Sequence, residues 1–119
     1  MAARGEGIIV GEDGREVNVL FTNRALMQAE KIMGKSVIAV TQGFVNGAAG
    51  MNELVALLQA GMEAARRDSG ERGRVVTLND ATEVLEEAGF TAVAQVVMES
   101  VAAVLSYSVS ENGNEPDPN

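Results

Sequence analysis

The chain has no cysteine, no histidine and no tryptophan in its 119 residues, and its only prolines are Pro116 and Pro118. Without cysteine there is neither a disulfide framework nor a thiolate metal site. Without histidine the commonest general base and metal ligand is missing. Aromatic residues make up only 3%, so the core must be built from Val, Leu, Ile, Ala and Met. Positive charge is scarce: nine Lys and Arg face 17 Asp and Glu, for a net charge of −8. Nucleic-acid binding needs a basic face that displaces phosphate counterions. The one basic cluster, Arg66, Arg67, Arg72 and Arg74, is interrupted by Asp68 and Glu71 and reads as a solvated loop, so no nucleic-acid partner is expected. No stretch approaches the roughly 20 apolar residues of a membrane helix, and Met1-Ala2-Ala3-Arg4 leads into Gly and Glu rather than an apolar run. The expectation is a soluble, intracellular protein that engages no membrane.

Hydrophobic residues nevertheless reach 46%, enough for a folded domain of this length with a small core. Six methionines are many for so short a chain. Flexible core filler is the simpler reading; an adaptable binding surface is the alternative, because thioether side chains re-pack around varied partners. The acidic balance favours solubility.

Periodicity divides the chain into a hairpin and helices. Ile8-Ile9-Val10, the turn residues Glu12-Asp13-Gly14 and the alternating Glu16–Thr22 predict a β-hairpin over 7–22, with Val17, Val19 and Phe21 on one face. A helix is predicted over 23–33, capped by Thr22 or Asn23, with Leu26, Ala29, Ile32 and Met33 inward and Gly34 past its end. Residues 36–50 mix strand-like Val37, Ile38 and Val40 with glycines and are read as a loop with one apolar anchor. The segment 52–67 predicts a helix capped by Asn52, with an apolar stripe of Leu54, Leu57, Leu58, Gly61, Met62 and Ala65. Gly61 is unfavourable there, and close approach of another backbone is the reason we expect. A third helix, 77–88, has Thr77 as cap, Asp80 in its first turn and Leu78, Ala81, Val84, Leu85 and Ala88 inward. Gly89 ends it.

A last helix, capped by Thr91, runs to about Ser106 with a wide apolar stripe: Val93, Val97, Val101, Val104 and Leu105, broadened by Val96, Met98 and Ala103. Such width means either a central helix, which we favour, or a second apolar face for a partner. The result is an α-rich α+β fold: a short N-terminal β-hairpin followed by a compact bundle of about four helices. Residues 1–107 form one domain, and 108–119, acidic and proline-containing, form a disordered tail.

The motifs that suggest chemistry do not hold up. Gly34-Lys35-Ser36 looks like the end of a phosphate-binding loop, but the glycine required five residues earlier is Ala29, and a helix precedes it instead of a strand. The acidic pairs Glu12-Asp13 and Glu86-Glu87 sit at exposed turns or polar helix faces and read as solvated charge, not as a catalytic acid–base pair. Asp13 with Gly14 lacks the further ligands of a calcium loop. No Ser or Thr has a base placed to activate it. We expect no enzyme, no cofactor and no metal.

Three phrases in fixed order carry more. Phe21-Thr22-Asn23-Arg24-Ala25-Leu26 leads through Glu30 to Gly34-Lys35-Ser36. Glu53-Leu54-Val55-Ala56-Leu57-Leu58-Gln59-Ala60-Gly61-Met62 follows, and then Val76-Thr77-Leu78-Asn79-Asp80-Ala81. In order and spacing, over roughly residues 17–107, this resembles the tail assembly chaperones of long-tailed phages and gene transfer agents. The departure is Met62, where a leucine is usual. The resemblance implies an α-rich, non-catalytic protein of the host cell cytoplasm that is absent from the finished virion. It would coat the long helical tape measure protein until tail tube protein subunits polymerise around it. In many relatives a ribosomal frameshift appends a further domain, and the segment after Tyr107 is a natural place for one.

Mechanically, an acidic protein would cover the apolar helical faces of an unassembled tape measure through helix-in-groove contact. Release favours mid-sized Met, Val and Leu contacts over aromatic hot spots. The expected patch is Phe44 and Val45 with Leu54, Leu58 and Met62; unfolding on charge substitution of Leu58 or Met62 would make these core residues instead. Phe21 and Phe90 read as core, whereas Phe44 is either core or an exposed hook. The rival reading is a structural tail or neck component retained in the particle, its hairpin adding to a neighbour's sheet. A homo-oligomer is left open.

Overall fold

A computed structural model of the chain describes residues 5–70 and 73–114. Strands β1 (Glu6–Val10) and β2 (Glu16–Leu20) form the antiparallel hairpin, with Gly7 opposite Val19 and Ile9 opposite Val17. Its turn works as the sequence suggests: the Arg15 N–H donates to the Asp13 carboxylate (3.0 Å), and Gly14 takes the positive φ of +85°. Ile9, Val19 and Phe21 are buried on the inner face and Val17 is half-buried there.

Among the described residues five helices follow: α1 (Asn23–Met33), α2 (Val37–Asn46), α3 (Met51–Asp68), α4 (Leu78–Ala88) and α5 (Phe90–Asn114). The α-rich α+β class and the N-terminal hairpin stand, but there is one helix more than expected. Residues 37–46 are not a loop. Ser36 caps α2 by accepting from the Ala39 N–H (3.0 Å), and Gly47 ends it in the left-handed conformation. Val37 and Val40 point into the core at helical spacing. Their β-branching and the interior Gly43 hid a helix that capping and packing sustain. The Gly34-Lys35-Ser36 motif is its connector: Gly34 closes α1 with φ +71°, Lys35 pairs with Glu53 at the start of α3 (2.7 Å), and Ser36 opens α2. The Glu30 carboxylate accepts from the Val37 N–H (2.8 Å) and joins the two helices.

The expected helix starts hold at Thr22, which accepts from the Ala25 N–H, and at Thr77, which exchanges hydrogen bonds with Asp80. They fail at Asn52, which lies inside α3 after a cap at Gly50, and at Thr91, which lies inside α5. The α5 backbone stays helical to Asn114, eight residues beyond the expected end at Ser106. No glycine or proline interrupts it before Gly113. Of the expected disordered tail, residues 115–119 lie outside the described residues, as do Met1–Arg4, Glu71 and Arg72.

Helix α3 sits at the centre, packed against β2, α1, α4 and α5. Leu54, Leu57 and Leu58 are fully enclosed, and Ala56, Ala60 and Gly61 are buried beside them. Each such leucine contributes about 1.5–3 kcal/mol by leaving water. The central place expected for α5 thus belongs to α3. Helix α5 presents Val93, Val97, Val101 and Val104 to the core, packing against β1, α3 and α4. It approaches the hairpin closely: a Cβ on Gly7 would lie 2.5 Å from Ser100 Oγ. Gly61 makes room for a side chain, not for the backbone we expected, because the Phe21 ring lies over it. Ile32 and Leu78, expected inside, are exposed and border a cleft beside the first turns of α3.

One carboxylate ties the α3–α4 loop down. Glu63 accepts from Arg66 Nε (2.9 Å) and Nη2 (2.7 Å), from Arg67 Nε (2.8 Å) and from the Val76 N–H (2.9 Å). Gln59 donates to the Val76 carbonyl (2.8 Å), so both main-chain groups of Val76 are held from α3. The Arg66 hydrogen bonds, helped by Val76 and Arg67, lower the Glu63 pKa from 4.5 to about 2. Lys35 and the Gly50 N–H lower Glu53, and Arg74 with Thr77 lowers Asp80, each also to about 2. A depressed carboxylate stabilises the fold fully above its ordinary pKa and loses that contribution as pH falls through the folded value. Urea midpoints should therefore hold above pH 4.5 and decline from there towards pH 2. Glu63→Ala, which strands the Val76 N–H, should cost about 1–3 kcal/mol near neutrality and make the acid decline shallower. An unchanged acid profile in that variant would assign the decline to other groups.

Candidate partner-binding surface

The five residues expected to form a binding patch do not come together. Leu54 and Leu58 are 0% exposed and belong to the core. Met62 is half-buried on the side of α3 facing β2, near Arg15, Val17 and Val76. Only Phe44 and Val45 share a surface. Val45 is 86% exposed, whereas Phe44 is half-buried with its ring against the core. Phe44 is therefore both anchor and lining. Helix α3 is central, and its neighbours bury the apolar stripe that carries Leu54 and Leu58.

Phe44 and Val45 form one wall of an open groove between α2 and α5 of about 470 Å³. The other wall is the second face of α5: Phe90, Ala94, Met98, Ala102 and Leu105. These follow helical spacing on a stripe adjacent to the buried one. From Ala94 to Leu105 it runs about 16 Å, three turns of helix. The rings of Phe44 and Phe90 close one end, with centroids 6.3 Å apart and planes tilted by 38°. Phe90 is 36% exposed and is part of this surface, not core. The polar lining residues are Thr41, Thr91 and Gln95, and none of the lining residues is charged.

A further signal in the sequence marks both walls. No charged residue occurs between Ser36 and Asn52, and only Glu99 occurs between Ala88 and Ser110. On a chain carrying −8, two neighbouring elements so poor in charge make a neutral surface. Such a surface favours an apolar occupant, since a charge buried in it would find no partner.

Among the described residues no group of three or more His, Cys, Asp or Glu is placed to hold a metal ion. The three carboxylates with lowered pKa are each engaged by Lys or Arg. Among the described residues no single helix is long and apolar enough to cross a membrane. Compared with known proteins, the chain matches no family model, no curated protein and no solved structure.

Proposed function

We propose that the protein is a non-catalytic assembly chaperone of the long-tailed phage type. It takes an apolar helical stretch of the tape measure protein into the groove between α2 and α5. Tail tube subunits then displace it in the host cytoplasm, so it does not remain in the particle. The groove is the observation that supports this reading: it is open, free of charge and about as long as three helical turns. Helix-in-groove recognition needs an apolar trough between two helices, and here the trough is lined by Met, Val, Ala and Leu with aromatic rings at one end. Small and adaptable contacts give modest affinity, which suits a protein that must let go.

The test is co-expression with the tape measure protein encoded nearby, followed by size exclusion with light scattering. A soluble tape measure that co-elutes with several copies of this chain is the expected result. Precipitation of the tape measure, with this chain eluting alone, would overturn the reading. The exposed Ile8 and Val10 of β1 favour a second reading, a tail or neck component built into the particle. Mass spectrometry of purified particles separates the two, because a chaperone should be missing from them.

A further inference from the structure

Among the described residues every Lys and Arg but two is held by a carboxylate of this chain. Arg15 pairs with Glu87, Lys35 with Glu53, Arg66 and Arg67 with Glu63, and Arg74 with Asp80. Arg24 and Lys31 have no such partner, and both are exposed on α1. They stand about two helical turns apart, roughly 10 Å along one face. Gln28 lies between them, and Met27 and Ile32 beside them are 62% and 48% exposed. The one acidic residue of α1, Glu30, is half-buried and engaged elsewhere, accepting from the Val37 N–H.

Beside this face, α1 and α3 enclose a cleft of about 270 Å³. Ala25, Ala60 and Ala64 form its apolar floor, and the exposed Arg24, Ile32 and Val75 form its rim. Glu63 also reaches the cleft, but Arg66 and Arg67 hold its charge. The local balance is therefore positive, on a chain whose net charge is −8. Nucleic acid and anionic bilayers are recognised by larger clusters of cations, and the rest of this chain's charge opposes both. Two cations two turns apart instead match a helix. Carboxylates at the same spacing on a second helix, laid along α1, have the same rise and meet both cations. Apolar residues between those carboxylates then cover Ile32 and the alanine floor.

We propose that the outer face of α1, with the α1–α3 cleft, is a second docking surface whose occupant is an acidic amphipathic helix of a partner protein. It differs from the α2–α5 groove in place and in chemistry. The groove suits an uncharged helix face, and this surface suits a negatively charged one. It does not depend on the chaperone reading. Attraction at exposed charges is screened by salt, so binding here weakens as salt is raised, whereas apolar burial in the groove does not weaken in that way.

The probe is a synthetic helical peptide with two glutamates at that two-turn spacing and leucines between them on the same face. Added to the isotopically labelled full chain, it should shift the amide NMR signals of residues 24–32 and 60–67 and leave those of 90–105 in place. Arg24→Glu with Lys31→Glu should weaken binding by about tenfold or more and leave the circular dichroism unchanged. Should that pair disturb α1, Arg24→Gln with Lys31→Gln keeps the test, because glutamine suits a helix. Arg15→Glu, the same reversal at the hairpin turn, should bind normally. A peptide with glutamines in place of the glutamates should bind as weakly as the double variant. Absence of binding at about 1 mM peptide would overturn the proposal. So would equal binding of the two peptides, or shifts confined to the α2–α5 groove. Vesicles of phosphatidylglycerol should not bind; association with them and not with the peptide would assign the face to a membrane and overturn the proposal.

Discussion

Phe21→Ala should remove about 3–5 kcal/mol of stability, a large share of the 5–15 kcal/mol or so that holds a small domain together. Among the described residues Phe21 is the largest fully enclosed side chain, and it joins three elements. It follows β2, its N–H closes the hairpin on Gly5, and its ring lies over Gly61 in the central helix. A Cβ on Gly61 would stand 2.6 Å from Phe21 Cζ. Gly61→Ala therefore brings two opposed effects. Helix propensity gains about 1 kcal/mol, and overpacking costs about 1–3 kcal/mol. The ring is enclosed on its other sides, so the overpacking term should win and the variant should be less stable. In a Phe21→Leu background the same Gly61→Ala change should be less harmful or even stabilising. Urea unfolding of the four proteins measures the coupling. If the two changes simply added, the ring-on-glycine contact would not be what fixes this crossing.

The same pair shows what the sequence makes legible. That Gly61 must accommodate a close neighbour follows from a glycine inside an otherwise strong helix. That the neighbour is the ring of Phe21, 40 positions earlier, does not follow, because crossing geometry is tertiary. Likewise the hairpin with its turn at Asp13-Gly14, the Thr22 and Thr77 caps and the stop at Gly34 rest on local chemistry and are readable. Helix α2 was not, since Val37, Ile38, Val40 and Thr41 carry strand propensity and Gly43 weakens a helix. Its real signals were the cap at Ser36 and the glycine at Gly47, separated by whole turns. For the binding surface, Phe44 and Val45 were legible as an apolar hook in a charge-free stretch. Leu54 and Leu58 were misassigned because a one-dimensional stripe does not tell a central helix from a peripheral one. What distinguishes α3 is burial at Ala56 and Ala60 as well as at its leucines, which only the packing of neighbours on several sides produces. The α5 stripe was wide for the complementary reason: one half is core and the other half lines the groove.

That division gives the second large effect, on binding instead of stability. Ala102 and Ala103 are neighbours on α5 and both exposed, but only Ala102 lines the groove. Ala102→Glu should fold like the unaltered protein, because glutamate is a good helix former at an exposed site. It should lose client binding by about 100-fold, since a carboxylate pressed into an uncharged trough against an apolar helix costs about 3 kcal/mol or more. Ala103→Glu adds the same charge one residue away and should bind normally. Leu58→Glu should instead fail to fold, because its carboxylate would be enclosed with no cation in reach. Circular dichroism and pull-down of the tape measure fragment read these outcomes separately. Normal binding by Ala102→Glu would remove the groove from consideration. A folded Leu58→Glu that had lost its client would return the site to the α3 stripe and require that helix to be exposed in the bound state. The contrast between adjacent alanines is the more demanding test, because net charge, helix propensity and exposure are nearly matched and only the face differs.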